Sequence, residues 1–160
     1  MLVKQIKEKF LLKKPEEIYS LGMDLGEAMG IGLYKTHEYS AGRYTHFIIE
    51  NNPFLRYVDC KKIKEPIDYF ISGCMGGGGC FVHNAICQNI ETSCKAKGDA
   101  KCDFLTGTEE ELKRRGLWDE VCRRYKLEYI YPLQKEFVNR YEEGKEGELL
   151  EELIERVKDV

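Results

Sequence analysis

Cys94 and Cys102 are the residues of this chain whose types and spacing best suit joint chemistry. They flank a Gly98-Asp99 pair, and Gly-Asp between two short runs signals a tight β-connection. If Ile86 to Cys94 pairs with Lys101 to Thr106 across that turn, both thiols come near one hairpin. Two thiolates held that way bind a soft or borderline metal. The same residues also read as two half-buried strand thiols, because free Cys is among the most buried residue types. Their separation is not a zinc-knuckle spacing, so other ligands have to come from elsewhere in the chain.

Further groups that could do chemistry are scattered. Cys74, Cys80 and Cys87 read as core thiols. His83 falls where a helix should close and reads as a C-terminal capping residue. His37 and His46 suit either strand packing or the lining of a pocket. Gly76 to Gly79 has the look of a phosphate loop, but no Gly-Lys-Ser/Thr follows and no strand clearly precedes it. A glycine-rich helix is the better reading.

These groups need elements to hold them. Val3, Ile6, Phe10 and Leu11 recur at helical spacing over 3–14. Pro15, followed by Glu16 and Glu17, opens a second helix well. Its apolar positions, Ile18, Leu21, Leu25, Met29 and Leu33, predict that it runs to Leu33. Gly22, Gly26 and Gly30 stand four apart in it, and each glycine costs about 1 kcal/mol in a helix relative to Ala. A stripe of this kind lets another backbone or a flat ligand approach closely. After a turn over His37 to Gly42, Tyr44 to Glu50 reads as a strand, with Thr45, Phe47 and Ile49 on one face. Pro66 opens the next element, where Ile67, Phe70, Ile71, Cys74 and Met75 keep helical intervals. Its glycines are expected to pack on the Gly22/Gly26/Gly30 stripe or to bound a narrow cavity with it. Thr108 and Glu111 form a capping box for a helix ending at Gly116. A short helix over Trp118 to Tyr125 follows. Lys126 to Tyr141 is helical with Pro132 near a boundary, or begins extended. Glu148 to Val160 is amphipathic and suits docking on the core or on a second copy.

Composition narrows the function classes. At 160 residues the chain fits one domain spanning 1–160, with residues 1–14 as an N-terminal helical extension and 145–160 as a terminal helix. A net charge of −3 offers no general attraction to nucleic acid. No run of apolar residues is long enough to span a membrane. The seven cysteines are an odd number and follow no hydrophobic leader, so a reducing, cytoplasmic setting is expected.

The segment from Pro66 to Phe104 resembles the 4-vinyl reductase domain family. The matching residues are Pro66-Ile67-Asp68-Tyr69, Gly73 to Gly79, Glu91-Thr-Ser-Cys94, Gly98-Asp99 and Cys102-Asp103-Phe104. The resemblance implies an α+β fold, an antiparallel sheet packed with helices, like the TRAPP-subunit-like domains of trafficking complexes. It would have a Gly-rich central helix and extra C-terminal helices. It further implies a small hydrophobic ligand and a zinc site like that in the ligand-sensing domains of aromatic-responsive transcription activators. Carried over residue by residue, the zinc ligands would be Cys94, Cys102 and Glu91. The family's fourth ligand, the cysteine after the Pro-x step, is replaced here by Asp68, and Cys60 is a rival for that place.

The resulting expectation is a hydrophobic-ligand-binding domain with a structural zinc, a stand-alone sensor or carrier. Its pocket would be lined by Met29, Leu33, Phe47, Tyr69, Phe70, Met75 and Phe81, and its assembly would be a homodimer. Two alternatives remain: a reductase acting on a vinyl or tetrapyrrole substrate, and a dimeric assembly module without ligand. No dinucleotide fingerprint supports the reductase.

Overall fold

The computed structural model describes residues 9, 11–55, 58, 63–142, 152 and 155. The expected helices at 3–14 and 145–160 lie largely outside these residues, and Cys60 lies wholly outside them. The chain forms two compact units, Met1–Leu112 and Lys113–Val160. The fold is α+β.

The first unit begins with helix α1, Pro15–Ala28. Pro15 occupies its first turn, and the Glu17 carboxylate accepts the Lys14 backbone N–H at 3.3 Å. The helix stops at Ala28 and does not continue to Leu33, as its apolar spacing predicted. Leu33–Ser40 is instead strand β1. Gly32 makes the change of direction possible. Its φ is +124°, and a Cβ there would meet Ile49 Cγ2 at 2.5 Å and the Glu50 carbonyl at 2.8 Å. The turn expected over His37 to Gly42 is therefore largely strand, with the reversal confined to residues 41–43.

Strand β2 is Tyr44–Glu50, followed by a 3₁₀ turn at Pro53–Leu55. Helix α2 is Tyr69–His83, and strands β3 (Cys87–Ser93) and β4 (Cys102–Thr108) form the expected hairpin. The strands make one four-stranded antiparallel sheet in the order β1-β2-β4-β3. Thr45, Phe47 and Ile49 are buried on one face of β2, as alternation requires. Phe47 stacks on its cross-strand partner Phe104 with ring centroids 5.5 Å apart.

The glycines of α2 pack on this sheet rather than on those of α1. A Cβ at Gly76 would lie 3.4 Å from the Asn89 backbone nitrogen, and one at Gly79 would overlap Thr106 Cγ2. Gly26 of α1 fits under the Tyr34 ring of β1, where a Cβ would lie 2.8 Å from Cε2. Gly22 faces open space, and Gly30 lies beyond the end of α1. The stripe is thus divided among separate tasks.

Helix α3, Glu109–Arg114, starts at the predicted cap, with Thr108 Oγ1 accepting the Glu111 N–H at 3.4 Å. Arg43 pairs with the buried Glu111 at 2.7 Å. In the second unit, helix α4 is Trp118–Tyr125 and helix α5 is Leu127–Glu142. Lys126 separates them in the left-handed conformation. Pro132 sits inside α5, so it marks no boundary, and no extended segment precedes it.

Candidate functional site

The β3–β4 connection builds the site. A register shift between Glu91 and Ser93 re-aims the end of β3. Cys94 then leads a single 3₁₀ turn, Lys95–Lys97, and Gly98 closes it with φ 102°. Asp99 fastens the loop: its Oδ2 accepts the Cys94 backbone N–H at 2.8 Å. The Cys94 carbonyl accepts the N–H groups of Lys97 at 3.0 Å and Asp99 at 3.2 Å. Cys102 opens β4, and its Sγ accepts the Lys95 N–H at 3.4 Å.

The result is a buried cluster. Glu91, Cys94 and Cys102 each offer a ligand atom, and these atoms lie within 4.8 Å of one another. Glu91 is 1% exposed and both cysteines 0%. Burial raises the pKa of Glu91 and of Cys94, and it pushes the Cys102 thiol up to about 12. The neighbouring acids add to the rise: Glu91 acts on both thiols, and Cys94 acts on Cys102. Backbone N–H groups of Ile67 and Ala96 pull Cys94 the other way. Acidic groups crowded into a dry site favour their protonated forms, and a divalent cation reverses that preference. Carboxylate oxygen and thiolate sulfur together form a donor set suited to zinc.

Asp68 stands beside this cluster in a different role. Its carboxylate caps α2, accepting the Ile71 N–H at 3.2 Å, and also bonds the Asn52 side-chain amide. Its own backbone N–H donates to Glu91 Oε2 at 3.1 Å. The start of α2 is therefore tied to the cluster through the main chain of Asp68, while its carboxylate lies outside the trio. Burial raises the pKa of this carboxyl too, against the opposing bonds from Asn52 and Ile71.

The expected pocket residues separate. Phe47 is buried, and Met75 packs against the same core. Phe81 is half-buried. Met29, Leu33, Tyr69 and Phe70 are exposed, with Phe70 tilted against Phe54 at 5.0 Å. The interior carries residues that sequence reasoning passed over. Tyr34 lies 5.9 Å from Phe47, ring to ring, and its hydroxyl is buried. The β-prone residues Tyr34, Thr36 and Tyr39 were the available signal for this strand, hidden by the helical spacing before it. Asp99 belonged to the Gly-Asp turn already singled out. Nothing local marked Asn52 as a partner of Asp68.

No protein-family model matches the chain, and no curated protein matches it by sequence. Among solved structures it is similar to the phenol-responsive sensory domain of the transcription activator PoxR, determined with phenol. The TM-score is 0.56 at 15% identity, over 73% of this chain and 62% of that one. This likeness concerns the fold. The chain spans less than two thirds of the sensory domain's length.

Proposed function

We propose that this protein is a small-molecule-binding sensory or carrier domain of the 4-vinyl reductase type, held together by a structural zinc. The observation that carries the metal is the buried Glu91, Cys94 and Cys102 cluster, within 4.8 Å. Asp68 supplies the fourth donor by turning its carboxylate from the helix cap, since its main chain already touches Glu91. The metal pins the β3–β4 connection to the start of α2, and loading it releases protons from the thiols. The likeness to a phenol-responsive sensory domain supports a ligand role. So does the aromatic interior of Tyr34, Phe47 and Phe104, closed by Met75. The described cysteines are all free, which suits a reducing cytoplasm. Among the described residues no helix is long and apolar enough to cross a membrane.

Native mass spectrometry of freshly purified protein, with elemental analysis, tests this reading. The expected result is one zinc per chain. Folded protein holding less than about a tenth of an equivalent refutes the structural metal, because structural sites stay filled.

A homodimer is a second element of the proposal. Tyr69, Phe70 and Phe54 are exposed together, and Gly73 and Gly77 of α2 face open space. Light scattering coupled to size exclusion checks it, and a strict monomer removes it.

A further inference from the structure

The sheet face opposite Phe47 and Phe104 carries a second group of side chains with metal-ligating chemistry. His46 and Asp103 alternate with those two rings along β2 and β4, so both point to this face. They are diagonal neighbours across the β2–β4 ladder, and His46 Nε2 lies 2.5 Å from Asp103 Oδ1. In β1 the register shifts between Thr36 and Glu38, which leaves His37 as the extra residue of a β-bulge. The His37 ring stands 5.2 Å from that of His46. Lys101, just before β4, joins the group: its Nζ lies 2.6 Å from Asp103 Oδ2 and 3.4 Å from His37 Nε2.

An ammonium offers only donors, so His37 Nε2 turns its lone pair toward it. Lys101 therefore places a cation between an imidazole lone pair and a carboxylate oxygen. A second imidazole stands on the other oxygen of the same carboxylate. Among the described residues, three ligand atoms close to within 4.8 Å only at Glu91, Cys94 and Cys102. Here the ammonium fills the gap between His37 and Asp103. Access differs as well. The two cysteines are fully buried, whereas His37 is exposed and the side chains of Lys101 and His46 are 44% and 27% exposed. Asp103 is buried and gives the group a fixed floor. Glu38, opposite His46, is engaged by the Tyr44 hydroxyl at 3.0 Å.

We propose that His37, His46 and Asp103 form a second divalent-metal site, open to solvent, in which the Lys101 ammonium is the resident cation. Two imidazoles and one carboxylate suit zinc, cobalt(II), nickel(II) or iron(II). Metal enters as Lys101 swings out on its flexible stem and His37 closes toward Asp103 and His46. His46 then gives Nε2 to the metal and carries its proton on Nδ1. Three protein donors leave a position for water or for an exogenous ligand. The site shares no donor with the Glu91, Cys94 and Cys102 cluster, so it stands or falls apart from the structural zinc.

Cobalt(II) titration of the full chain, as purified, tests this by calorimetry, with absorption spectra taken on the same samples. Thiolate-to-cobalt charge transfer reports any ion that enters the cysteine cluster, so the two sites are read separately. Wild type is expected to take up one cobalt without that absorption. Lys101→Met removes the competing cation and should tighten this binding about fivefold, the worth of one partly exposed ion pair. His37→Ala, made in the Lys101→Met chain, should weaken it at least about tenfold. Lys101→Gln takes the place of Lys101→Met should the latter fail to fold. Binding no tighter in the Lys101 variant than in wild type overturns Lys101 as the resident cation. Binding unchanged by His37→Ala is adventitious surface uptake and overturns the site. Absence of cobalt uptake in both wild type and the Lys101 variant overturns it as well.

Discussion

Two glycines of α2, Gly77 and Gly79, should respond oppositely to the same substitution. Both lie within Tyr69–His83, so Gly→Ala gains each about 1 kcal/mol of helix propensity. At Gly77 an added Cβ meets nothing within 4 Å. At Gly79 it overlaps Thr106 Cγ2 and comes to 3.3 Å from Cys87 Cβ. Thr106 cannot easily yield, being β-branched, buried and bonded to Asn89. Overpacking of this kind costs about 1–3 kcal/mol. The propensity gain is common to both variants and cancels in their difference. Gly77→Ala should therefore be more stable than Gly79→Ala by about 1–3 kcal/mol, the packing cost alone. Against wild type, Gly77→Ala gains about 1 kcal/mol and Gly79→Ala is neutral to destabilised. Urea unfolding followed by circular dichroism, at one protein concentration and with a shared m-value, measures the difference. If the two variants agree within about 0.5 kcal/mol, the close seating of α2 on β3 and β4 is wrong.

Cys102→Ser should lower zinc content to well under one equivalent and narrow the stability gap between zinc-loaded and chelator-treated protein; full retention of zinc in the variant would remove Cys102 from the ligand set. Asp68→Asn keeps a capping side chain but loses a charged donor, so helicity should hold while zinc affinity falls. Unchanged affinity in Asp68→Asn, with loss of about 1 kcal/mol in Asp68→Ala, would leave Asp68 a cap and nothing more. Burial lowers the pKa of His83, so between the unfolded value near 6.5 and the lower folded value the unfolded chain binds more protons. Its contribution is thus intact above about pH 6.5 and is lost as pH falls through that window. His83→Gln should flatten the pH dependence of unfolding free energy between about pH 5 and 7 relative to wild type, and an identical slope in both would refute the buried neutral imidazole.

The candidate metal cluster was legible because its parts are local. Glu91, Cys94, Gly98, Asp99 and Cys102 fall in one hairpin, so turn chemistry and the family resemblance reached them without knowledge of the tertiary fold. The β2 strand was legible for a similar reason, since Thr45, Phe47 and Ile49 alternate cleanly. The β1 strand was not. Gly22, Gly26 and Gly30 repeat at helical spacing, and with Leu25, Met29 and Leu33 they extend a helical pattern past the point where Gly32 breaks it. The expected pocket mixed inward and outward positions of α2, because its glycines erase the polar-apolar contrast that marks a helix face. Tyr69, Phe70 and Gly73 face outward while Ser72, Gly76 and Gly79 face the sheet. The polar row of Tyr39, Thr45, Thr106 and Asn89, which pair across the sheet, could not be read at all. It exists only through the register that sets Tyr39, Thr45, Thr106 and Asn89 side by side.

That register also explains why α2 carries so many glycines at a cost in helix propensity. The helix is fixed at both ends by polar contacts to the sheet. At its start the Asp68 backbone N–H donates to Glu91. At its end His83 bonds Thr45, and Asn84 closes the helix in the left-handed conformation. Glu91 and Thr45 lie in successive rows of the same sheet face, with Phe47 and Phe104 in the row of Glu91. Between the two anchors the helix backbone must come close to Asn89 and Thr106, which only Gly76 and Gly79 permit. Larger residues there would lift α2 and draw His83 away from Thr45. They would also draw Asp68 away from Glu91, since one rigid helix carries both. The glycines thus hold the candidate metal centre and the His83–Thr45 contact in one fixed relation, and any change in how α2 sits is felt at both.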